Sequence, residues 1–113
     1  MPVPAKRLKD LIEGTVDHHA SQRWPAIAEV TIRWRGSFGY LIGHLETGDD
    51  TDGEQIPLGR IEYLGDDNEW AFAIYDPATD SYNDTLLCTG ADTGHPNDAL
   101  DTAAIVHLAE HTQ

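Results

Sequence analysis

An α+β fold is what this sequence predicts: an antiparallel sheet of about five strands with a helix near each end of the chain, in the order α-β-β-β-β-β-α. Three observations carry that expectation. Apolar residues recur at helical spacing near the two ends. Between them, runs of alternating apolar and polar residues follow one another in hairpin-length steps. None of the connections is long enough for the crossover that parallel pairing requires, so the strands should pair antiparallel with the helices packed on them. At 113 residues the chain has the length of one domain, and residues 1–113 are read as one.

The first helix is expected from residue 5 to about residue 20. Leu8, Leu11, Ile12 and Val16 form an amphipathic stripe, Gly14 weakens the interior, and Pro25 marks the latest possible end. His18 and His19 fall in its last turn, where imidazoles suit the negative end of the helix dipole. In "AEVTIRWR", Ala28, Val30, Ile32 and Trp34 alternate with Glu29, Thr31, Arg33 and Arg35, the period of a half-buried strand. Gly36-Ser37 offers a tight turn into "FGYLIGHLE", and "TGDDTDGEQ" reads as a loop. A third strand is expected from about Ile56 to Leu64, a fourth in "EWAFAIY", and a fifth from Tyr82 to Cys88, with "GDDN" and "DPATDS" as turns. One face of these strands reads as bulky (Trp34, Phe38, Tyr40, Trp70, Phe72). The other reads as small (Gly39, Gly43, Gly59, Ala71, Ala73), a shallow groove for a closely packed helix or, as the lesser alternative, an approaching ligand backbone. The last helix begins near Pro96, a residue suited to the first helical position, with Asp98 complementing the dipole. Its broad face holds Leu100, Ala103, Ala104, His107, Leu108 and His111.

Charge is distributed unevenly. The chain has 20 acidic and 7 basic residues, a net charge of −13. Nine acidic and seven basic residues lie at or before residue 60; the other eleven acidic residues follow it, with no lysine or arginine among them. Such a field repels nucleic acid and anionic lipid and steers a basic partner, so direct nucleic-acid binding and membrane association are not expected. The start, "MPVPAKRLKDLIEG", puts charge where a signal peptide needs an apolar run, and no segment has the roughly 20 apolar residues of a membrane span. The single cysteine, Cys88, cannot form an internal disulfide, and the expected location is cytoplasmic. Cys88 itself is expected to be a buried structural thiol.

The motifs that suggest chemistry are weak. "HLAEH", His107 to His111, matches the H-x-x-E-H pattern of a zinc-protease class, but no third ligand follows it. His107 and His111 therefore make at most a weak metal-binding pair, and no cofactor or catalytic residue is assigned. Placing Gly53 at position six of a calcium loop puts Gly48 and Gly59 where the first aspartate and the bidentate glutamate belong, so the pattern fails. No serine sits in a nucleophile elbow, and "TGADTGHP" lacks the P-loop lysine. Arg33 and Arg35 share the polar face of the first strand and are expected to pair with acidic residues across the sheet; the alternative is a basic patch opposing the acidic half.

"RWRGSFGYLIGHL", "PLGRIEYLGDDNEWAFAIYDPATDSYNDTLL" and "TGHPNDALDTA" give residues 34–113 a resemblance to a family of small, uncharacterised acidic actinobacterial proteins, some associated with mobile elements. The resemblance implies an intracellular accessory protein and supplies no activity. The functional expectation is a non-catalytic, acidic protein-interaction module for a basic protein partner. Its candidate acidic face comprises Asp66, Asp67, Asp76, Asp80 and Asp84. One version is a nucleic-acid mimic, with carboxylates standing in rows where phosphates would be. The alternative is a small enzyme or ligand-binding protein using a pocket between the sheet and the C-terminal helix. Oligomeric state is left open: an uncovered aromatic sheet face would need a partner or a second copy.

Overall fold

A computed structural model describes residues 3–24, 27–45 and 55–111, apart from the side chains of 45 and 108–111. The elements are α1 (Lys6–Arg23), β1 (Ile27–Arg35), β2 (Phe38–Leu45), β3 (Gln55–Asp66), β4 (Glu69–Asp76), β5 (Ser81–Asp84), β6 (Thr93–Gly94) and α2 (Pro96–His111). The strands pair in the order β1-β2-β3-β4-β5, all antiparallel, and the short β6 also pairs with β4. The α+β class and the two terminal helices are as the hydrophobic periods predict. The loop expected at "TGDDTDGEQ" lies almost wholly outside the described residues.

Both helices pack on the same face of the sheet. From α1 come Ile12, Val16 and Ala20; from α2 come Ala99, Leu100, Ala103 and Ala104. They join Val30, Ile32, Leu41, Ile61, Trp70 and Phe72 in one core. The run of alanines lets α2 approach the strands closely, since each presents only a methyl group. Leu11, expected in the stripe of α1, is 61% exposed because the buried line runs at i, i+4 spacing through Ile12, Val16 and Ala20.

The expected division into bulky and small faces is corrected by the register. Gly36, at φ 60, allows a two-residue turn that pairs Arg35 with Phe38 and Trp34 with Gly39. Residues directly opposite share a face. Trp34 therefore lies with Gly39, Leu41 and Gly43 on the helix side, whereas Phe38, Tyr40 and Ile42 lie with Arg33 and Arg35 on the other. Trp70 and Phe72 pair with Tyr63 and Ile61 and are also on the helix side. Ala71 and Ala73 are opposite Glu62 and Arg60, away from the helices.

Large side chains fill the spaces the helix-side glycines leave. A Cβ at Gly39 would lie 2.8 Å from Cζ3 of Trp34, and one at Gly59 would lie 2.5 Å from Cε1 of Phe72. Trp34 also meets Trp70 at 6.0 Å between ring centroids, and Trp70 meets Tyr63 at 5.0 Å. The buried Trp70 indole donates to Asp67 O in the β3–β4 turn (2.8 Å), so its N–H is satisfied.

Three polar joints hold the helices in place. Val30 N–H donates to Asp17 Oδ1 (2.9 Å), tying α1 to the edge strand. Asp101 Oδ1 on α2 accepts from His19 Nε2 (2.9 Å) and Trp24 Nε1 (2.8 Å), with Arg23 Nε at 3.4 Å. His95 sits just before α2, where its Nδ1 accepts from Asn97 N–H (3.0 Å) and caps the helix.

The fifth strand is shorter than expected. It ends at Asp84 instead of Cys88; Thr85 N–H still reaches Phe72 O (3.3 Å), and Leu87 turns into the core. Cys88 is exposed, which corrects the expectation of a buried thiol. Its backbone N–H is held by Thr102 Oγ1 (2.7 Å) while Leu87 takes the interior position.

Candidate functional site

Among the described residues no helix covers the other face of the sheet, which has a cation-aromatic layer at its centre. Arg60 on β3 stacks its guanidinium 4.6 Å from the Phe38 ring centroid and 5.6 Å from that of Tyr82. Tyr82 meets both Tyr40 and Tyr75 at 5.3 Å, bridging β2 to β4 and β5. Register explains the bridge: Tyr40 and Arg60 are opposite each other, and the adjacent β4 position is the small Ala73. The rings close over Ala73, which is only 2% exposed although no helix covers it. Burial, reinforced by Tyr40 and opposed by Arg60, raises the pKa of Tyr82 above that of a free tyrosine. Tyr75 is also raised, first because its hydroxyl donates to Asp80 Oδ1 (2.6 Å).

This layer separates two cavities of opposite character. On the β1–β2 side, one of about 530 Å³ is lined by Arg33, Arg35, Tyr40, Ile42, Pro57 and Tyr82, together with Trp34. Among the described residues no carboxylate is within ion-pair distance of Arg33, Arg35 or Arg60. The expected pairing of Arg33 and Arg35 across the sheet is absent because their β2 neighbours are Tyr40 and Phe38. On the β4–β5 side, a notch of about 400 Å³ has Ala71 among its lining residues and contains Glu62, Asp84 and Asp92, with no lysine or arginine.

The five aspartates of the expected acidic face do not converge. Asp66 and Asp67 lie in the β3–β4 turn; Asp76 and Asp80 lie at the β4–β5 turn. The length of β4 separates the two groups by roughly 23 Å. Asp66 and Asp76 each accept a backbone N–H two residues on, from Asn68 (2.9 Å) and Ala78 (3.0 Å), so they shape their turns. Asp84 joins the open face, paired with Ala73, and Asp80 reaches its edge through the Tyr75 hydroxyl. Glu62 and Asp92 are the acidic residues there that sequence reasoning missed. The signal for Glu62 was its place two residues from Arg60 on one strand face.

The histidine motif has a structural explanation. His107 is buried, and its Nε2 donates to Leu58 O at 3.1 Å. Leu58 is the extra residue at the β3 bulge, between Pro57 paired with Ile42 and Gly59 paired with Leu41, so the imidazole serves a carbonyl at the irregularity. The side chain of His111 lies outside the described residues. Among those described, no three His, Cys, Asp or Glu side chains gather where they could hold a metal ion. A cavity of about 270 Å³ between the sheet and α2, lined by Ile74, Tyr75, Val106 and His107 among others, corresponds to the pocket of the alternative reading. Elsewhere the His19–Asp101 pair resembles part of a hydrolytic triad, but the hydrogen bonds of the described residues join no hydroxyl or thiol to it.

Fold and surface together define a small two-layer α+β domain with a helix-covered face and an open, charge-divided face. Comparison with known proteins finds no matching family model, no matching curated protein and no matching solved structure. Among the described residues no helix is long and apolar enough to cross a membrane.

Proposed function

We propose that this chain is a non-catalytic protein-interaction module that binds through the open face of its sheet. The partner brings basic side chains to the acidic notch over β4 and β5. The observation that carries this reading is the one-sided helix cover. It leaves a face composed of tyrosine, phenylalanine and arginine around a charged rim, the residue types that dominate interface energetics. Seven basic residues against twenty acidic ones favour a basic partner over a nucleic acid. The separated carboxylate groups suit an acidic rim better than a row imitating phosphates. The pocket of the enzyme alternative is slightly below the roughly 300 Å³ of a typical ligand site, and His107 beside it is engaged by Leu58 O. A cytoplasmic setting is part of the proposal, supported by the unpaired Cys88.

Affinity capture from a host lysate with the wild-type chain, a Glu62→Arg/Asp84→Arg variant and an Asp66→Arg/Asp67→Arg control tests the reading. The expected result is a partner retained by the wild type and the control and lost by the notch variant. A partner held equally by all three, or none at all, would reject the open face as the binding surface.

A further inference from the structure

We infer that the occupant of the open face is a second copy of this chain, with Arg33 and Arg35 of each copy seated in the acidic notch of the other. This rests on the interaction-module reading and names the source of the basic side chains. Among the described residues no carboxylate meets these arginines. Arg33 and Asp84 lie on the two outer strands of a five-strand meander, four strand spacings apart in its order. A two-fold axis running along β3, between two facing sheets, carries β1 over β5 and β2 over β4. The register then places Arg33 opposite Asp84, Arg35 opposite the Asp92-Thr93 segment, and Phe38 opposite Ala71, the small residue in the notch. The same operation meets both cavities at once because each copy supplies one of each.

Other occupants match only half of the face. A nucleic acid favoured by the arginines meets Glu62, Asp84 and Asp92 a few strands away. A uniformly basic protein favoured by those acids meets Arg33, Arg35 and Arg60. A partner carrying both signs in the reverse order at its margins is required, and a copy of this chain has that pattern by symmetry, with Arg60 and Glu62 near the axis diagonal to Glu62 and Arg60 of the other copy. The area suffices: five strands at about 4.8 Å by seven residues at about 3.3 Å cover roughly 550 Å² in plan. Side-chain relief raises this toward the roughly 800 Å² that a standard interface buries per partner.

Sedimentation velocity of the full chain at about 0.15 M salt, where the mutual repulsion of two copies of net charge −13 is screened beyond about 8 Å, reads the mass directly over about 10–300 µM. The expected result is a concentration-dependent rise to twice the chain mass, reversed near 1 M salt where screening acts within about 3 Å. Arg33→Glu/Arg35→Glu carries acid at both margins, and Glu62→Arg/Asp84→Arg carries arginine at both, with Asp92 the one notch acid kept. Each should stay at one copy, with native circular dichroism, and a 1:1 mixture of the two should recover the doubled mass. A wild type of single-copy mass throughout overturns the proposal, as does a dimer that persists in both variants. An octa-arginine peptide titrated into the wild type separates this failure from that of the underlying reading. If a monomeric wild type binds it more tightly than Glu62→Arg/Asp84→Arg, and Asp66→Arg/Asp67→Arg does not weaken it, the acidic notch survives as a binding surface without the second copy. If the notch variant binds equally well, both fall.

Discussion

Replacing Gly59 by alanine tests the packing of the helix-covered face. The added methyl would lie 2.5 Å from Cε1 of Phe72, 3.0 Å from its Cζ and 2.8 Å from the carbonyl oxygen of Ala73. Ordinary contact begins near 3.4 Å. The ring must therefore move by about 1 Å in a core packed nearly as densely as a crystal, and β4 must give by several tenths of an ångström. Overpacking of this kind costs about 1–3 kcal/mol, offset by about 0.4–1 kcal/mol from the stiffer unfolded chain. A net loss of about 1–2 kcal/mol lowers Tm by roughly 4–8 °C in a domain of this size. Calorimetry measures it. Phe72→Leu in the same chain removes the ring but not the backbone contact, so the double variant should lose less than the sum of the two single changes, by about 0.5–1 kcal/mol. An unchanged or raised Tm for Gly59→Ala, or strict additivity in the cycle, would refute the close approach of Phe72.

The remaining predictions concern the helices. Gly14 is exposed, has nothing within 4 Å of an added Cβ and lies inside α1, so Gly14→Ala should raise stability by about 1 kcal/mol in urea unfolding. Asp101→Ala removes the acceptor for the indole N–H of Trp24 and for His19, and should cost about 1–3 kcal/mol; Asp101→Asn, which keeps an oxygen, should cost less in the same assay. Burial lowers the pKa of His95 below 6.5, an effect that His19 reinforces and Asp98 opposes. The unfolded chain then binds the proton more readily, so this contribution to stability is present above about pH 6.5 and is lost as pH falls through the folded value. Protonation would also cost Nδ1 its role as acceptor for Asn97 N–H. His95→Asn, which can cap without titrating, should show a shallower fall in Tm between about pH 7.5 and 5.5; an equal slope would remove His95 as the cause.

The sequence made the elements legible because their periods differ: two along "AEVTIRWR" and i, i+4 in Ile12, Val16 and Ala20. The faces were harder to read. Alternation says that Phe38 and Gly39 lie on opposite sides of β2, but only the turn at Gly36-Ser37 decides which of them joins Trp34. Once that turn pairs Arg35 with Phe38, the aromatics divide between the core and the open face. The scatter of the five aspartates has a related reason. Density of aspartate along the chain marks turns as readily as sites, and Asp66 and Asp76 are held by their own backbone neighbours. Glu62 and Asp92 stand alone in the sequence and come together only through pairing. His95 gave a local signal, a side chain immediately before Pro96, but histidine is an uncommon cap.

The topology gives the charge asymmetry its geometry. In a sheet whose strands crossed over, a chain with all its lysines and arginines early and none late would mix its charges across the face. Here β1 to β5 pair in sequence order, so position along the chain becomes position across the sheet. The last arginine, Arg60, falls on the central strand, and beyond it the sequence has eleven aspartates and glutamates with no lysine or arginine. Arg33 and Arg35 are therefore confined to one margin, and Asp84 and Asp92 to the other. Bringing those margins together within one copy would mean crossing four strand spacings. A two-fold axis along the middle strand brings them together without any change in fold. A substitution that moved one arginine from β1 to β5 would destroy that match while leaving net charge and core untouched, so the arrangement of the charges is separable from their number.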